Sequence, residues 1–357
     1  MDTKAAAAVP GPDWFKIIVA LPMLIALLWF GQGFLKPLAI TALIYILAMA
    51  FVDRLCRVPI AGRTLPVWLA SIAAVLIAIA CLWFFGLVFA NSSDEIAEAL
   101  PRYAERLQVI ALELEAVFGA EAIDPIRQTV AGLDIGSFLA ILLNELSGNV
   151  TTIALIALYL GFLISERSTW TRKLPRLSST EQGAVELNRL FSRISTGVKQ
   201  YMWVNAVTSA MSGAVAYLVF VSIGLDFAEL LAVIVFIVGF IPNIGAFIGV
   251  FLPSMVALLQ FDSYVPFLIV FIVYGGSDQF IANVIMPMMQ GKSLNMSTFM
   301  VMVALAFWAL MWGGLGAFLA MPLTVMTMVI CAEMPSMRWV AVLLSSDGIL
   351  DGSERSD

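Results

Sequence analysis

Histidine is absent from the 357 residues. Acid–base relays, nucleophilic triads and metal sites that need an imidazole are therefore excluded. Charge is scarce too. Asp, Glu, Lys and Arg make up 12% of the chain, against about 25% in an ordinary soluble domain. The three cysteines, Cys56, Cys81 and Cys331, lie too far apart to suggest a metal site or a redox motif. There is no Gly-x-x-x-x-Gly-Lys-Ser/Thr loop, so coupling to ATP through such a loop is not expected. A net charge of −6 argues against a nucleic-acid partner. Neither a cofactor nor an enzymatic reaction is expected.

What is present is apolar. Hydrophobic residues are 61% of the chain, above the ~45–50% of soluble domains. Most of this sequence is solvated by lipid, which predicts an all-α polytopic membrane protein. Residues 1–16 hold two acids and two lysines, and no small-residue cleavage site follows the first apolar run. That run is expected to be retained as a span.

The distance between successive charges locates the spans, since about 20 apolar residues cross a hydrocarbon core. Charge-free windows run from Lys16 to Lys36, Lys36 to Asp53, Arg63 to Asp94, Glu145 to Glu166 and Lys199 to Asp226. These give spans 1 to 5, with span 3 near 65–90. The window from Glu229 to Asp262 is too long for one span and too short for two. Its centre, Ile241-Pro242-Asn243-Ile244-Gly245, breaks a helix. A broken re-entrant hairpin over 229–261 is expected, and a kinked pair of short spans is the alternative. Residues 263–291 form span 6 and contain one charge, Asp278. The window from Lys292 to Glu333, with Trp312-Gly313-Gly314-Leu315-Gly316 near its middle, reads as two spans in a tight hairpin. The total is about eight transmembrane helices plus the hairpin.

Basic residues collect on the cytoplasmic side of a membrane. The loop after span 2 carries Arg54, Arg57 and Arg63, and residues 166–199 carry seven basic residues against three acids. Residues 94–145 reverse the balance, with ten acids against three arginines. The acidic segment is predicted outside and both termini in the cytoplasm. The expected layout is transmembrane helices 1–3 over 1–90, an extracytoplasmic amphipathic segment over 91–148 and helix 4 over 149–165. A cytoplasmic amphipathic helix over 166–200, a transmembrane core over 201–335 and a cytoplasmic tail over 336–357 follow.

Within 94–118, Ile96, Leu100, Tyr103, Leu107, Ile110, Leu114 and Val117 alternate spacings of four and three. That is a heptad seam. It packs either within the chain or against a neighbouring subunit. Pro101 is tolerable there if it falls in a first helical turn. A second amphipathic stretch holds Ile126, Val130, Leu133 and Leu139. On the cytoplasmic side Ser178 and Glu181 form a candidate capping box, and the helix behind it is expected to continue into span 5.

Asp278 is the one acid deep in a span. A carboxylate at mid-bilayer is costly unless hydrated, paired or protonated, and such residues line pathways. Gln279, Asn283 and Gln290 fall on a polar stripe beside it. This reads as a proton or cation site, or else as a neutral Asp bonded to a neighbouring helix. Gly245 and Gly249 form a Gly-x-x-x-Gly pair best read as close packing. Amides after Pro242, with Asn243, are candidates for holding a polar group at a half-helix terminus.

Three sequence blocks are familiar in order and spacing. They are Phe240-Ile241-Pro242-Asn243-Ile244-Gly245 with Pro253, then Asn283-Val284-Ile285-Met286-Pro287 with Gly291, then Gly313-Gly314-Leu315-Gly316 with Ala320-Met321-Pro322-Leu323. On these the chain resembles the autoinducer-2 exporter (AI-2E) family of bacterial and archaeal membrane proteins. The resemblance implies a homo-oligomer, with a pentamer expected, in the bacterial inner membrane. It also implies export of a small polar solute such as autoinducer-2, with Na⁺(Li⁺)/H⁺ antiport as the alternative. Many relatives carry Tyr where Asn243 stands, which alters the polarity and size of the hairpin turn. From the residues alone, three readings stay open: a solute carrier, a cation/proton antiporter centred on Asp278, and a membrane scaffold that transports nothing. Expected as structural hinges are Pro242, Gly245, Gly249, Pro253, Pro287, Gly313, Gly314, Gly316 and Pro322.

Overall fold

A backbone in lipid must satisfy its own polar groups, and long apolar stretches do so as helices. The computed structural model describes residues 14–56, 59–60, 63–64, 66–119, 155–156, 158–163, 166, 180–242, 244–290, 296–334 and 337–348. Their helices are α1 (Trp14–Phe30), α2 (Gln32–Leu55), α3 (Val67–Phe118), α4 (Glu181–Ile223), α5 (Ala228–Val238) and α6 (Ile244–Gln260). After these come α7 (Val265–Met289), α8 (Thr298–Trp312), α9 (Gly314–Glu333) and α10 (Arg338–Leu344). Within the described residues α2, α4, α7 and α9 contain stretches long and apolar enough to cross a membrane. The second amphipathic stretch, most of span 4 and Ser178 lie outside the described residues.

The chain divides into two units. The first holds residues 1–71, 151–204 and 290–357. Here α8 and α9 form the expected tight hairpin. Gly313 turns it at φ +69°, a backbone region that side chains disfavour. The Trp312 indole donates to the Leu28 carbonyl at 3.1 Å, pinning α1 to the hairpin. At the other end of α2, Lys199 pairs with Asp53 at 2.8 Å and the Arg54 guanidinium stacks over Trp203. The loop after α2 closes as a two-residue antiparallel ribbon, Pro59–Ile60 against Arg63–Thr64. The charged C-terminal stretch is not featureless: α10 forms there, and the Ser297 amide donates to the Leu344 carbonyl at 3.0 Å.

The second unit holds residues 72–150 and 205–289. The change from apolar to charged sequence at Asp94 does not interrupt α3, which runs on for 52 residues. Pro101 therefore sits in a helix interior and not in a first turn. It is exposed, so water can satisfy the carbonyl it orphans. The expected capping residue of α4, Ser178, is outside the described residues, and the first described hydroxyl there belongs to Thr180. Thr180 Oγ accepts the Gly183 amide at 3.2 Å, one residue before the helix starts. As expected, α4 runs without a break from its charged end into span 5.

The expected broken hairpin is α5 and α6, joined over 239–243. At ~1.5 Å per residue, the 11 residues of α5 rise only about 16 Å, half of a hydrocarbon core. Its base is tied by Gln260, whose amide group donates to the Gly224 carbonyl and accepts the Asp226 amide, at 2.8 and 2.7 Å. The C-terminal half of α3 packs on it. Ile96 joins Leu230 and Val233 in a buried cluster, and the Tyr103 hydroxyl donates to Asp226 at 3.0 Å. Burial, and then the Asp226 carboxylate, push that hydroxyl above the usual tyrosine range, so it stays protonated and donating. The near half of the heptad seam is thus used within the chain. Farther along the seam, among the described residues, Leu114 is exposed.

One feature of α7 has no counterpart in the sequence reading. The helix widens into π turns at Ile269–Tyr274 and Ile281–Ile285, with regular α-helix over Gly275–Phe280 between them. Such turns are rare and cluster at functional sites. Asp278 stands between the two.

Candidate functional site

Polar side chains of α4 and α7 converge in the second unit, beside the α5–α6 hairpin, around a cavity of about 810 Å³. From α4 come Asn205, Thr208, Ser209 and Ser212. Their spacing of three, four and seven puts them on one helix face, and each is buried. The hairpin turn contributes Ile241 and Pro242, and α6 contributes Gly245. From α7 come Tyr274, Asp278, Gln279 and Asn283.

The central contact is made by Ser212 Oγ, which donates to Asp278 Oδ1 at 2.7 Å. Asp278 is 8% exposed. Among the described lining residues none is basic, so this carboxyl is held by a hydroxyl and not by a cation. Asn283 Nδ2 donates to the Gln279 carbonyl and to Gln279 Oε1, both at 2.9 Å, fixing both side chains along one edge of the cavity. Behind the site, Tyr274 meets the edge of Phe220 at 5.2 Å, and both are fully buried.

Of the residues expected from sequence, Asp278, Gln279 and Asn283 come together here. Asn243 and the side chain of Gln290 lie outside the described residues. Gly249 packs where expected, 3.5 Å from the Tyr274 hydroxyl when given a Cβ. Pro253 is buried in α6, Pro322 is inside α9, and Pro287 follows the second π turn of α7. The α4 face was missed. Its signal was legible as Asn-x-x-Thr-Ser-x-x-Ser within an otherwise apolar run.

A buried acid, a polar helix face and a broken hairpin around one cavity are the parts of a membrane transporter. The model of a family described as AI-2E family transporter matches residues 18–336. The chain belongs to the AI-2E family. Its members' character makes it an integral membrane transporter. It is similar to AI-2 transport protein TqsA of Escherichia coli, with 24% identity over 92% of this chain and 95% of that protein. A putative transport protein of Haemophilus influenzae is 26% identical over 79% of this chain and 83% of its own length. One of Borreliella burgdorferi is 29% identical over 60% of this chain, and the match spans 59% of that relative's length.

Proposed function

We propose that this AI-2E transporter exports a small polar solute across the bacterial inner membrane through the cavity at Asp278, with proton uptake on that carboxyl driving the step. Autoinducer-2 is the first solute to test, because a relative aligned over nearly its full length carries that name. The carrying observation is the 2.7 Å Ser212–Asp278 bond within a polar cavity whose described lining has no basic group. A lone acid of this kind exchanges a proton or a cation with whatever enters beside it. The hairpin turn, one wall of the cavity, is the element whose displacement opens it. The test is a proteoliposome assay of autoinducer-2 flux against Na⁺-dependent proton flux. Solute flux that dissipates an imposed proton gradient supports the reading, and flux indifferent to the gradient removes the coupling.

The second reading is Na⁺(Li⁺)/H⁺ antiport. It is favoured by the hydroxyls of Ser212, Ser209 and Tyr274 near Asp278, since hard monovalent cations take oxygen ligands. Proton flux driven by Na⁺ with no solute present selects it.

The loop charges support a cytoplasmic position for both termini. A cysteine-free protein with Ser263→Cys should react with an impermeant thiol reagent on intact cells, and Gln182→Cys should not. Both positions are exposed. The reverse pattern overturns the orientation.

A homo-oligomer, with five copies the number to test, is proposed to form through the far half of the seam on α3. Exposed Leu114 supports it. Leu114→Asp places a charge there without touching the packed Ile96 and Tyr103. Native mass measurement should show a smaller or mixed assembly, with the monomer's melting temperature within about 2 °C of wild type.

A further inference from the structure

Hydroxyls in lipid usually satisfy themselves on their own helix by bonding the carbonyl four residues back. This protein does so repeatedly. Thr41 bonds Pro37, Ser92 bonds Val88 and Ser254 bonds Val250, at 2.7, 2.8 and 2.7 Å. Ser277 bonds Val273, Thr324 bonds Ala320 and Thr327 bonds Leu323, at 2.7, 2.6 and 2.8 Å.

Among the described residues two buried hydroxyls have no partner at all, and both belong to residues that line the cavity. Ser209 Oγ and the Tyr274 hydroxyl are buried without a hydrogen-bond partner. Their residues are 3% and 0% exposed. For Ser209 the carbonyl four residues back, that of Asn205, already accepts from Thr208 at 3.2 Å. Tyr274 is held from behind by the edge of Phe220. Its ring therefore has a fixed aim. A buried polar group left unpaired costs stability, so its retention calls for a partner that arrives later.

We infer that Ser209 and Tyr274 are the solute-reading pair of this transporter, and that they select an uncharged, hydroxyl-bearing solute. The inference rests on the cavity being the transport site and adds the chemistry of what it takes. Each hydroxyl can donate and accept, which matches a solute hydroxyl that does both. Asp278 repels an anion, and no basic side chain among the described lining offsets it. A phosphorylated or carboxylate-bearing solute is therefore rejected. A site with waiting hydrogen-bond groups also discriminates strongly against a solute lacking them, because those groups then stay unpaired.

The test separates reading from packing by sign. Tyr274→Phe and Ser209→Ala each delete an unpaired hydroxyl and little else. Purified full-length protein in detergent is titrated, by thermal shift, with autoinducer-2, with the neutral tetrol erythritol, with phosphorylated autoinducer-2, and with NaCl and LiCl. The expected result has three parts. Without solute, both variants melt at or above the wild-type temperature. A neutral hydroxylated probe stabilises the wild type, with its midpoint moved roughly tenfold higher in each variant, the worth of one good hydrogen bond. The phosphorylated probe gives no shift.

A variant that melts below wild type without solute overturns the inference, since the hydroxyl then holds structure. So does an unchanged midpoint, and so does a wild type that no neutral probe stabilises. The transport reading is judged apart from this, by flux in proteoliposomes. Flux with an unchanged midpoint removes the solute-reading pair and leaves the transporter. Binding without flux does the opposite.

Discussion

Asp278→Asn should fold and assemble as wild type and lose proton-dependent flux by tenfold or more. Asparagine keeps the size of the side chain and an oxygen that accepts from Ser212 Oγ, so the 2.7 Å bond survives. What goes is the ability to ionise. If protonation of this carboxyl accompanies each cycle, the variant retains at most passive exchange through an intact cavity. The expected profile is solute flux that no longer responds to an imposed proton gradient between pH 5.5 and 8, a window chosen to bracket physiological proton gradients. Asp278→Leu is the contrasting variant. It also abolishes coupling, but it leaves Ser212 Oγ buried without its acceptor, at a cost of about 1–3 kcal/mol. Wild-type flux in Asp278→Asn at every pH would reject the coupling role and leave facilitated diffusion.

Gly245→Ala and Gly316→Ala should largely prevent recovery of folded protein. A Cβ on Gly245 would overlap the Val238 carbonyl oxygen, and one on Gly316 would overlap that of Trp308. In both places the obstacle is backbone, which cannot swing aside as a side chain does. Alanine gains up to ~1 kcal/mol of helix propensity over glycine. Prising open a tight helical hairpin costs more, on the order of 3 kcal/mol. The clash wins. The internal control is Gly249→Ala, whose Cβ meets nothing nearer than 3.5 Å and which should stay within about 1 kcal/mol of wild type. The measure is the monodisperse fraction after purification, together with the melting temperature. Equal recovery of all three variants would show that neither turn depends on the close backbone approach that Gly245 and Gly316 allow.

Much of the helical layout could be read because the period of apolar residues and the gaps between charges act locally. The broken hairpin was legible from Pro242 and Gly245, and the α8–α9 turn from Gly313 and Gly314, because these residues limit the backbone wherever they stand. The same local reading failed at Pro101. Nothing near that proline says whether the chain before it has already become helical, and in α3 it has been helical since Val67. The π turns of α7 were invisible for a related reason. They set the register of one helix against its neighbours, and the apolar runs Ile269–Tyr274 and Ile281–Ile285 look alike in either winding.

The candidate site divides along the same line. Asp278 was conspicuous because an ionisable group in a long apolar run carries an energetic cost that composition alone reveals. The Gln279–Asn283 edge followed from helical spacing on the same element. Ser209, Ser212 and Tyr274 did not stand out, because serine and tyrosine are ordinary residues in a span and are normally satisfied by their own helix or by a neighbour. Sequence by itself determined that this is a helical membrane protein, where its hairpins break and which acid is buried. Only the tertiary structure decided that α4 meets α7 at Asp278 and that two hydroxyls are left waiting there. Which side chains stay unpaired depends on contacts between residues far apart in the chain, such as Ser212 and Asp278, 66 positions apart, and no local pattern records those.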